Sequence, residues 1–374
     1  MNSTVSAQVL HLQQRSSSIL PEQIFLPEAY RLPDGSRRGA TIETGPRVVF
    51  IEVTNRCNLL CQTCPHTYFD REPLNSLSLE GFIRIAEQFP NMKRTLLHGV
   101  GEPLLNRELP EIIQYLKGRD VEVIINSNGT LLTPKWQAQL IKSGLDQYRC
   151  SIDGAKDETY ARIRGANLLP KLRRGLEGLV NMKERLGAKN PQISIWCVAT
   201  RENLQELPEL LQLAADLGVM EVYMQRLVYF AREPEKQYGM AREQLSFFGQ
   251  DQNEEDRIIE ECTRLSQTLG INFLASGGRD PINSLAAART EDFAPWQACM
   301  RPWTTAYITA NGNCLPCCIS PFATDDYQSL ILGNLFERPF SEIWNETDYQ
   351  KWRMDLLGDH PHKACASCGV YWSL

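Results

Sequence analysis

The stretch that decides the fold is Val48-Val49-Phe50-Ile51-Glu52-Val53-Thr54-Asn55-Arg56-Cys57-Asn58-Leu59-Leu60-Cys61-Gln62-Thr63-Cys64. Its apolar, β-branched first half predicts a buried strand, and three cysteines spaced C-x3-C-x2-C follow directly. Three thiolates can hold three irons of a [4Fe–4S] cluster, which leaves the fourth iron open to another ligand. A structural zinc site and a chance group of thiols are the alternatives. Zinc sites usually pair two C-x2-C units or add His, and no such partner stands nearby.

The chain downstream alternates between predicted strands and helices. Further strands are predicted at 95–98, 121–125, 147–152, 192–199 and 220–225. Helices are predicted between them at 79–89, 110–117, 134–143, 168–186 and 204–217, with Ser78, Thr133 and Asn203 as N-caps. Six strands that alternate with helices predict a parallel α/β fold. The polar motifs fall at or just after the strand ends, where such folds place their sites.

Composition narrows the function classes. The net charge of −6 and the pI near 5.6 give no basic footprint for nucleic acid. No apolar run reaches membrane-spanning length, and the N-terminus lacks the apolar core of a secretory signal. We therefore expect a cytoplasmic protein with no nucleic-acid or membrane partner, in which the twelve cysteines stay reduced. Metal binding then becomes the favoured role of the clustered thiols.

The cysteine motif after the first strand resembles the signature of radical SAM enzymes. The resemblance implies a partial (β/α)6 barrel over about 46–230. It also implies that Cys57, Cys61 and Cys64 are the catalytic cluster ligands, and that the open iron chelates the amino acid end of S-adenosylmethionine (SAM).

Further motifs resemble the SAM contacts of the same family. Val100-Gly101-Glu102, with Gly99 before it, resembles the G-G-E motif that meets the SAM amine. Ser151 and Asp153 resemble contacts to the ribose and carboxylate, Arg164 resembles a carboxylate contact, and Asn128 lies near the expected nucleoside. The resemblance therefore implies this cofactor-binding set: Gly99, Gly101, Glu102, Asn128, Ser151, Asp153 and Arg164.

A second group of cysteines lies near the C-terminus. Cys299, Gly312 and Cys317 satisfy a C-x(n)-G-x4-C pattern, and Cys365 and Cys368 close it. This resembles the SPASM/twitch extension of radical SAM proteins, which implies a small α+β domain. We predict one auxiliary [4Fe–4S] cluster on these four thiols, with a zinc ribbon as the alternative.

The remaining cysteines divide into two sets. The predicted cluster leaves open whether Cys314 or Cys318 is also a ligand. The isolated cysteines are expected to be small buried hydrophobic residues: Cys150, Cys197 and Cys262.

The domain organisation that follows has four parts. A tail and wrapping segment covers 1–45, the radical SAM barrel 46–230, a bridging segment 231–295, and the auxiliary cluster domain 296–374.

The resemblance also implies the chemistry. A one-electron donor such as a flavodoxin or ferredoxin reduces the cluster, SAM is cleaved to a 5′-deoxyadenosyl radical, and the radical abstracts a hydrogen from a substrate carbon. The first hypothesis is a dehydrogenase-type oxidation of a small natural-product or sugar-like intermediate. One alternative is a maturase that modifies a ribosomally made peptide with a partner protein. Another alternative is an iron–sulfur electron-transfer partner of a different enzyme.

Overall fold

The computed structural model describes residues 38–228, 245–247, 252–276, 296, 299–323, 326–366 and 368. Strands in these ranges are β1 (Val48–Ile51), β2 (Arg94–Leu96), β3 (Glu122–Ser127), β4 (Gln147–Ser151), β5 (Gln192–Ala199), β6 (Glu221–Arg226), β7 (Asn272–Ala275), β8 (Thr305–Ile308), β9 (Asn313–Leu315) and β10 (Gly333–Asn334). They form one sheet in the order β10-β9-β8-β1-β2-β3-β4-β5-β6-β7.

Helices of the described ranges connect or follow these strands. They are α1 (Leu79–Ala86), α2 (Leu109–Lys117), α3 (Pro134–Lys142), α4 (Asp157–Arg164), α5 (Leu169–Arg185), α6 (Leu207–Asp216), α7 (Gln252–Leu269), α8 (Arg301–Thr304), α9 (Phe340–Ile343), α10 (Thr347–Leu357) and α11 (Lys363–Ala366). None of them is long and apolar enough to span a membrane.

The six predicted strands are confirmed as β1 to β6. Each pairs in parallel with the next, and helices connect them, as the alternating pattern predicts. Apolar side chains of the strands and of the inner helix faces are buried together, including Val49, Ile85 and Leu176. The carboxyl ends of these strands therefore meet at one edge of the sheet, where the predicted site residues follow them.

The sheet extends beyond the predicted barrel on both sides. Strand β7, from the predicted bridging segment, pairs in parallel with β6. Strand β8, from the C-terminal domain, pairs in parallel with β1, and β9 and β10 follow it antiparallel. The predicted domain boundaries at 230 and 295 therefore fall between strands of one continuous sheet. Sequence patterns did not predict this, because pairing between strands distant in sequence depends on no local pattern. Most of 1–45 and much of 231–295 lie outside the described residues.

Two of the three predicted helix caps are confirmed. Ser78 Oγ accepts a hydrogen bond from Gly81 N at 3.1 Å, and Thr133 Oγ1 accepts one from Trp136 N at 3.4 Å. The cap predicted at Asn203 is wrong, because its Oδ1 instead accepts from the Thr200 amide at 2.7 Å. Helix α4 was not predicted from the sequence. It lies between β4 and α5 and ends at Gly165, whose φ of 77° favours glycine.

A buried arginine joins the C-terminal domain to the segment before β1. Arg353 is fully buried, and its Nη1 donates to the Ala40 carbonyl at 2.9 Å. Its Nε donates to the Pro302 carbonyl at 3.0 Å, and the guanidinium lies 4.3 Å from the centre of the Trp344 ring. One side chain thus holds three separate parts of the chain together.

We expect Arg353→Met to lower the free energy of unfolding by about 3 kcal/mol, because it leaves several buried oxygens without donors. Urea unfolding followed by circular dichroism measures this. The control is Lys351→Met on the same helix, where an exposed ion pair with Asp355 is worth less than about 1 kcal/mol. Equal losses in the two variants would contradict the role given to Arg353.

Candidate active site

The predicted cysteine triad lies in the loop that follows β1. Cys57, Cys61 and Cys64 are free thiols, each partly buried. Burial, together with smaller effects that include negative charge on Cys61, raises the pKa of Cys57 to about 11 and of Cys64 to about 12. The three thiols are therefore near enough to act on one another. Because burial disfavours the thiolate, binding of iron here releases protons.

The cysteine loop is fastened to the ends of β3 and α4. Asn58 accepts from the Asn128 side chain at 2.9 Å and donates to Thr130 Oγ1 at 2.8 Å. Arg164, at the end of α4, donates through Nη1 to Cys61 Sγ at 3.9 Å. The loop that carries the thiols is thus positioned by side chains more than seventy residues away in sequence.

The loop of Gly99 to Glu102 lies against the cysteine loop and needs its two glycines. A Cβ on Gly99 would lie 2.0 Å from Glu52 Oε2, and one on Gly101 would lie 2.1 Å from the Thr54 carbonyl oxygen. No side chain fits at either position without displacement of the backbone or of a buried carboxylate. This close approach leaves the strand ends open toward the cavity.

Glu102 orders the strand ends. Its buried carboxylate accepts from Leu104 N at 3.0 Å, Ser127 Oγ at 2.7 Å and Asn128 N at 2.7 Å. Burial raises the pKa of Glu102, and these donors lower it. The contact with a SAM amine that the motif implies stays a prediction, since three protein donors already occupy this carboxylate.

Asp153 and Arg164, both predicted as SAM contacts, pair with each other. Their side chains lie 2.7 Å apart, and Asp153 also accepts from Val198 N at 2.7 Å. Burial alone would lower the pKa of Arg164, but the neighbouring Asp153 raises it overall, so the guanidinium stays charged. Asn203, the misplaced helix cap, donates to the Asp153 carbonyl and fixes the same corner.

A cavity of about 1160 Å³ unites these residues. It extends from the cysteine triad past Ser151 to Arg47 and Lys93 near the other ends of the strands. Every predicted site residue of the barrel lines it: Cys57, Cys61, Cys64, Gly99, Gly101, Glu102, Asn128, Ser151, Asp153 and Arg164. The cavity also contains Asn126 Oδ1, a buried oxygen with no hydrogen-bond partner in the part of the chain that the structure describes. The thiols, the glycine-lined walls and this oxygen fit a cluster with a polar organic ligand.

His98 also lines the cavity and is held neutral. Burial, and then the charge of Arg149, lower its pKa to about 4. The sequence assigned no role to His98 or to His66, and the structure gives no reason to add one.

Two functional neighbours of the site were not predicted. Glu52 is buried beneath Gly99, and its Oε2 accepts from Val100 N at 3.1 Å and from Tyr307 Oη at 2.9 Å. Tyr307 belongs to β8, so this contact joins the C-terminal domain to the glycine loop. Arg149, on β4, projects into the cavity. A charged residue that interrupts an apolar strand is the pattern that could have identified both.

The C-terminal cysteines converge around Arg301. Burial alone would lower the pKa of this guanidinium, but charges on Cys318, Cys317, Cys299 and Cys368 raise it overall. Burial raises the pKa of Cys365, and Cys317, Cys368 and Cys299 add to that effect. The four thiols predicted as auxiliary ligands therefore lie together: Cys299, Cys317, Cys365 and Cys368.

The described residues contain no group of three His, Cys, Asp or Glu side chains arranged to hold one metal ion. A four-iron cluster is held differently, because each of its irons takes one thiolate at a separate corner.

The structure separates the two cysteines that the sequence left open. Cys314 is buried on β9 among residues of the core. Cys318 lies near Arg301 and Cys317 and lines the large cavity. As predicted, Cys150, Cys197 and Cys262 are buried among apolar residues.

Comparison with known proteins identifies the class. The sequence model of the radical SAM superfamily matches residues 51–214, and the SPASM model, an iron–sulfur cluster-binding domain, matches residues 299–369. The chain belongs to the radical SAM superfamily and carries a SPASM domain. It is a radical SAM enzyme with a SAM-binding [4Fe–4S] cluster and an auxiliary cluster. When bound, these groups supply one-electron chemistry and a hydrogen-abstracting radical.

Individual relatives share this architecture but differ in what they act on. An AdoMet-dependent heme synthase of Methanosarcina barkeri is 25% identical over 329 residues, which cover 87% of this chain and 88% of that protein. The mycofactocin maturase MftC of Mycolicibacterium smegmatis is 26% identical over 325 residues, 86% and 74% of the two chains. The crystal structure of Streptococcus suis SuiB bound to precursor peptide SuiA has a TM-score of 0.62 at 17% identity. The match covers 88% of this chain and 70% of that chain. At this low identity, the structural similarity shows a shared fold and nothing further.

Cys317, a predicted ligand, and Cys314, which the sequence left unassigned, give a matched test of the auxiliary site. We expect Cys317→Ala to lose roughly four irons per chain after anaerobic reconstitution, and Cys314→Ala to keep them. Iron and sulfide assays with the visible spectrum measure this. An equal loss of iron in Cys314→Ala would contradict the ligand assignment.

Glu52 gives a test by pH. Burial raises the pKa of Glu52 from 4.5 to about 7, so the folded protein holds this proton more tightly than the unfolded chain. Unfolding then releases a proton between these pH values, and stability falls as pH rises through 7. We expect the wild type to lose up to about 3 kcal/mol between pH 4.5 and 8 relative to Glu52→Gln.

Urea unfolding at several pH values measures that difference. Glu87→Gln, at an exposed carboxylate on the surface, serves as the control and keeps the wild-type pH dependence. Parallel pH profiles for the wild type and Glu52→Gln would show that Glu52 is not the titrating group.

Proposed function

We propose that the protein is a radical SAM maturase that modifies a ribosomally made peptide, which a partner protein presents. The observation that carries the proposal is the size of the cavity. Pockets that bind drug-sized ligands have volumes of roughly 300–1,000 Å³, and this cavity, at about 1160 Å³, is larger. It therefore has room for SAM near the triad and for a substrate segment beyond it.

The relatives support the same substrate class. SuiB is bound to a precursor peptide in its crystal structure, and MftC is named a maturase. This support shifts the proposal from the small-molecule oxidation, which the sequence favoured, to the peptide. The heme synthase relatives act on a different kind of substrate, so the experiment must separate the two classes.

The position of the auxiliary thiols supports an oxidative outcome. Arg301 and Cys318 line the cavity and lie beside the four converging cysteines. The wall nearest the auxiliary site is thus also a wall of the substrate space. We propose that a substrate electron leaves in this direction after hydrogen abstraction, and that a flavodoxin or ferredoxin supplies the electron that starts the reaction.

The chain's own residues position and enclose the reactants in this proposal. Glu102 and the Asp153–Arg164 pair keep the strand ends in place, and the cysteine loop lines one end of the cavity. Phe50, Trp196 and Tyr223 give the interior apolar walls that exclude water from a reactive radical.

The substrate class is tested by deuterium transfer. The protein is reconstituted anaerobically and supplied with SAM, reductant and an extract of host cells grown in deuterated medium. We expect deuterium in the 5′-deoxyadenosine product, because hydrogen abstraction takes the label from the substrate carbon. Digestion of the extract with a broad-specificity protease, later heat-inactivated, should abolish the label.

The triple variant Cys57→Ala, Cys61→Ala, Cys64→Ala is the matched control and should form no product. Label that survives the protease would contradict the peptide and favour a small molecule. Product formation by the triple variant would contradict the site itself.

A further inference from the structure

We propose that Arg149, with Asn126 beside it, forms a carboxylate-binding subsite that holds an acidic group of the substrate in the cavity. The inference rests on the proposed function, because it places the substrate in this cavity. It adds the chemistry that the substrate must carry.

The sheet geometry places Arg149 below the predicted SAM contacts. Arg149 and Ser151 are two residues apart on β4, so both side chains face the cavity. Two residues of a strand span roughly 6.6 Å, which sets Arg149 one step further from the triad edge. Asn126 is the register partner of Arg149 on β3. The two polar side chains therefore stand next to each other on the cavity wall.

The guanidinium of Arg149 packs against aromatic rings and has two acidic neighbours, Glu221 and Glu122, whose charges act on it. Its guanidinium lies 4.3 Å from the centre of the Trp196 ring, and that ring packs against Tyr223 with centroids 4.1 Å apart. Nη2 donates to Gln147 Oε1 at 3.1 Å, which holds the guanidinium in place. Only 5% of Arg149 is exposed. Burial outweighs these carboxylates and lowers the pKa of Arg149 to about 10, so a further carboxylate bound in the cavity would stabilise the charged guanidinium.

The cavity lining carries a net positive charge, whereas the net charge of the whole chain is negative. The chain carries −6, yet the cavity lining has six basic and three acidic side chains. Two of the acids pair with basic neighbours in the lining, Asp153 with Arg164 and Glu122 with Arg94. The basic residues are Arg47, Lys93, Arg94, Arg149, Arg164 and Arg301. Such a lining attracts anions from solution toward the interior.

The donor set suits a carboxylate. A guanidinium offers two parallel N–H groups that match the two oxygens of a carboxylate. Asn126 Oδ1 has no hydrogen-bond partner among the described residues, and a half-turn of the side-chain amide places its NH2 donor there instead. Trp196 and Tyr223 offer a flat apolar surface for the carbon chain that bears the carboxylate.

The experiment uses three small probes with the full chain, reconstituted with iron and sulfide in the presence of SAM. N-acetylglutamate amide carries a side-chain carboxylate, N-acetylglutamine carries a terminal carboxylate, and N-acetylglutamine amide is the neutral isostere. Ligand-observed NMR titrations give the affinity of each probe. We expect at least one carboxylate probe to bind about tenfold more tightly than the neutral amide, and the preferred probe identifies the source of the carboxylate.

Variants assign the preference to Arg149. Arg149→Gln should reduce the ratio of affinities to about one, and Arg149→Lys should keep part of it, because a point charge lacks the two-pronged geometry. Arg173→Gln, an exposed arginine on α5, is the matched control and keeps the wild-type ratio. Iron content and circular dichroism confirm that each variant is folded and loaded.

A ratio near one in the wild type, or an unchanged ratio in Arg149→Gln, would overturn the subsite. The result is independent of the substrate class, because no turnover and no peptide are needed. Tighter binding of a carboxylate probe than of the neutral amide, together with deuterium transfer that survives the protease, would keep the carboxylate subsite and reject the peptide substrate.

Discussion

The parallel pairing of β8 with β1 is the constraint on which the rest of the structure depends. It matches Val48 to Thr305 and Ile51 to Ile308, and the Glu52 amide continues it by donating to the Ile308 carbonyl at 2.8 Å. The strand that delivers the cysteine loop is therefore also the strand that receives the C-terminal domain. Because of this pairing, the triad lines the same cavity as Arg301 and Cys318, which lie beside the C-terminal cysteines.

A frame of buried polar groups then gives the upper part of the cavity its shape. Glu52, Glu102 and Asp153 are all buried, and each carboxylate accepts hydrogen bonds from backbone amides or side chains of other elements. Buried charges are costly, but a fully connected network in a low dielectric holds its members in one arrangement. The loops around the triad are consequently held by electrostatics rather than by apolar packing, which suits a surface that must receive a polar, zwitterionic cofactor.

Sequence reasoning succeeded where the information is local. The apolar period, the helix caps at Ser78 and Thr133 and the cysteine spacings lie within short windows, and these parts were predicted. It failed where a partner lies far along the chain. Tyr307 donates a hydrogen bond to Glu52, which lies 255 residues away in sequence. No local sequence pattern predicts the β1–β8 pairing that brings them together. Asn203 illustrates the same limit, because its side chain prefers a distant carbonyl and a nearby amide to the helix it precedes.

The cavity has two parts that differ in structure: an upper part near the cysteine triad and an inner part around Arg149. Near the triad, the polar side chains are tied to one another, as Asn128 is to Asn58 and Arg164 to Asp153, so this part is built to hold one arrangement. Further in, Arg149, Trp196 and Tyr223 present their surfaces to open space. Relatives with the same fold act on unlike substrates, and a shared cofactor requires a constant upper part. Selectivity must then arise from the inner part, where one guanidinium among aromatic rings can discriminate an acid from its neutral isostere more sharply than shape alone.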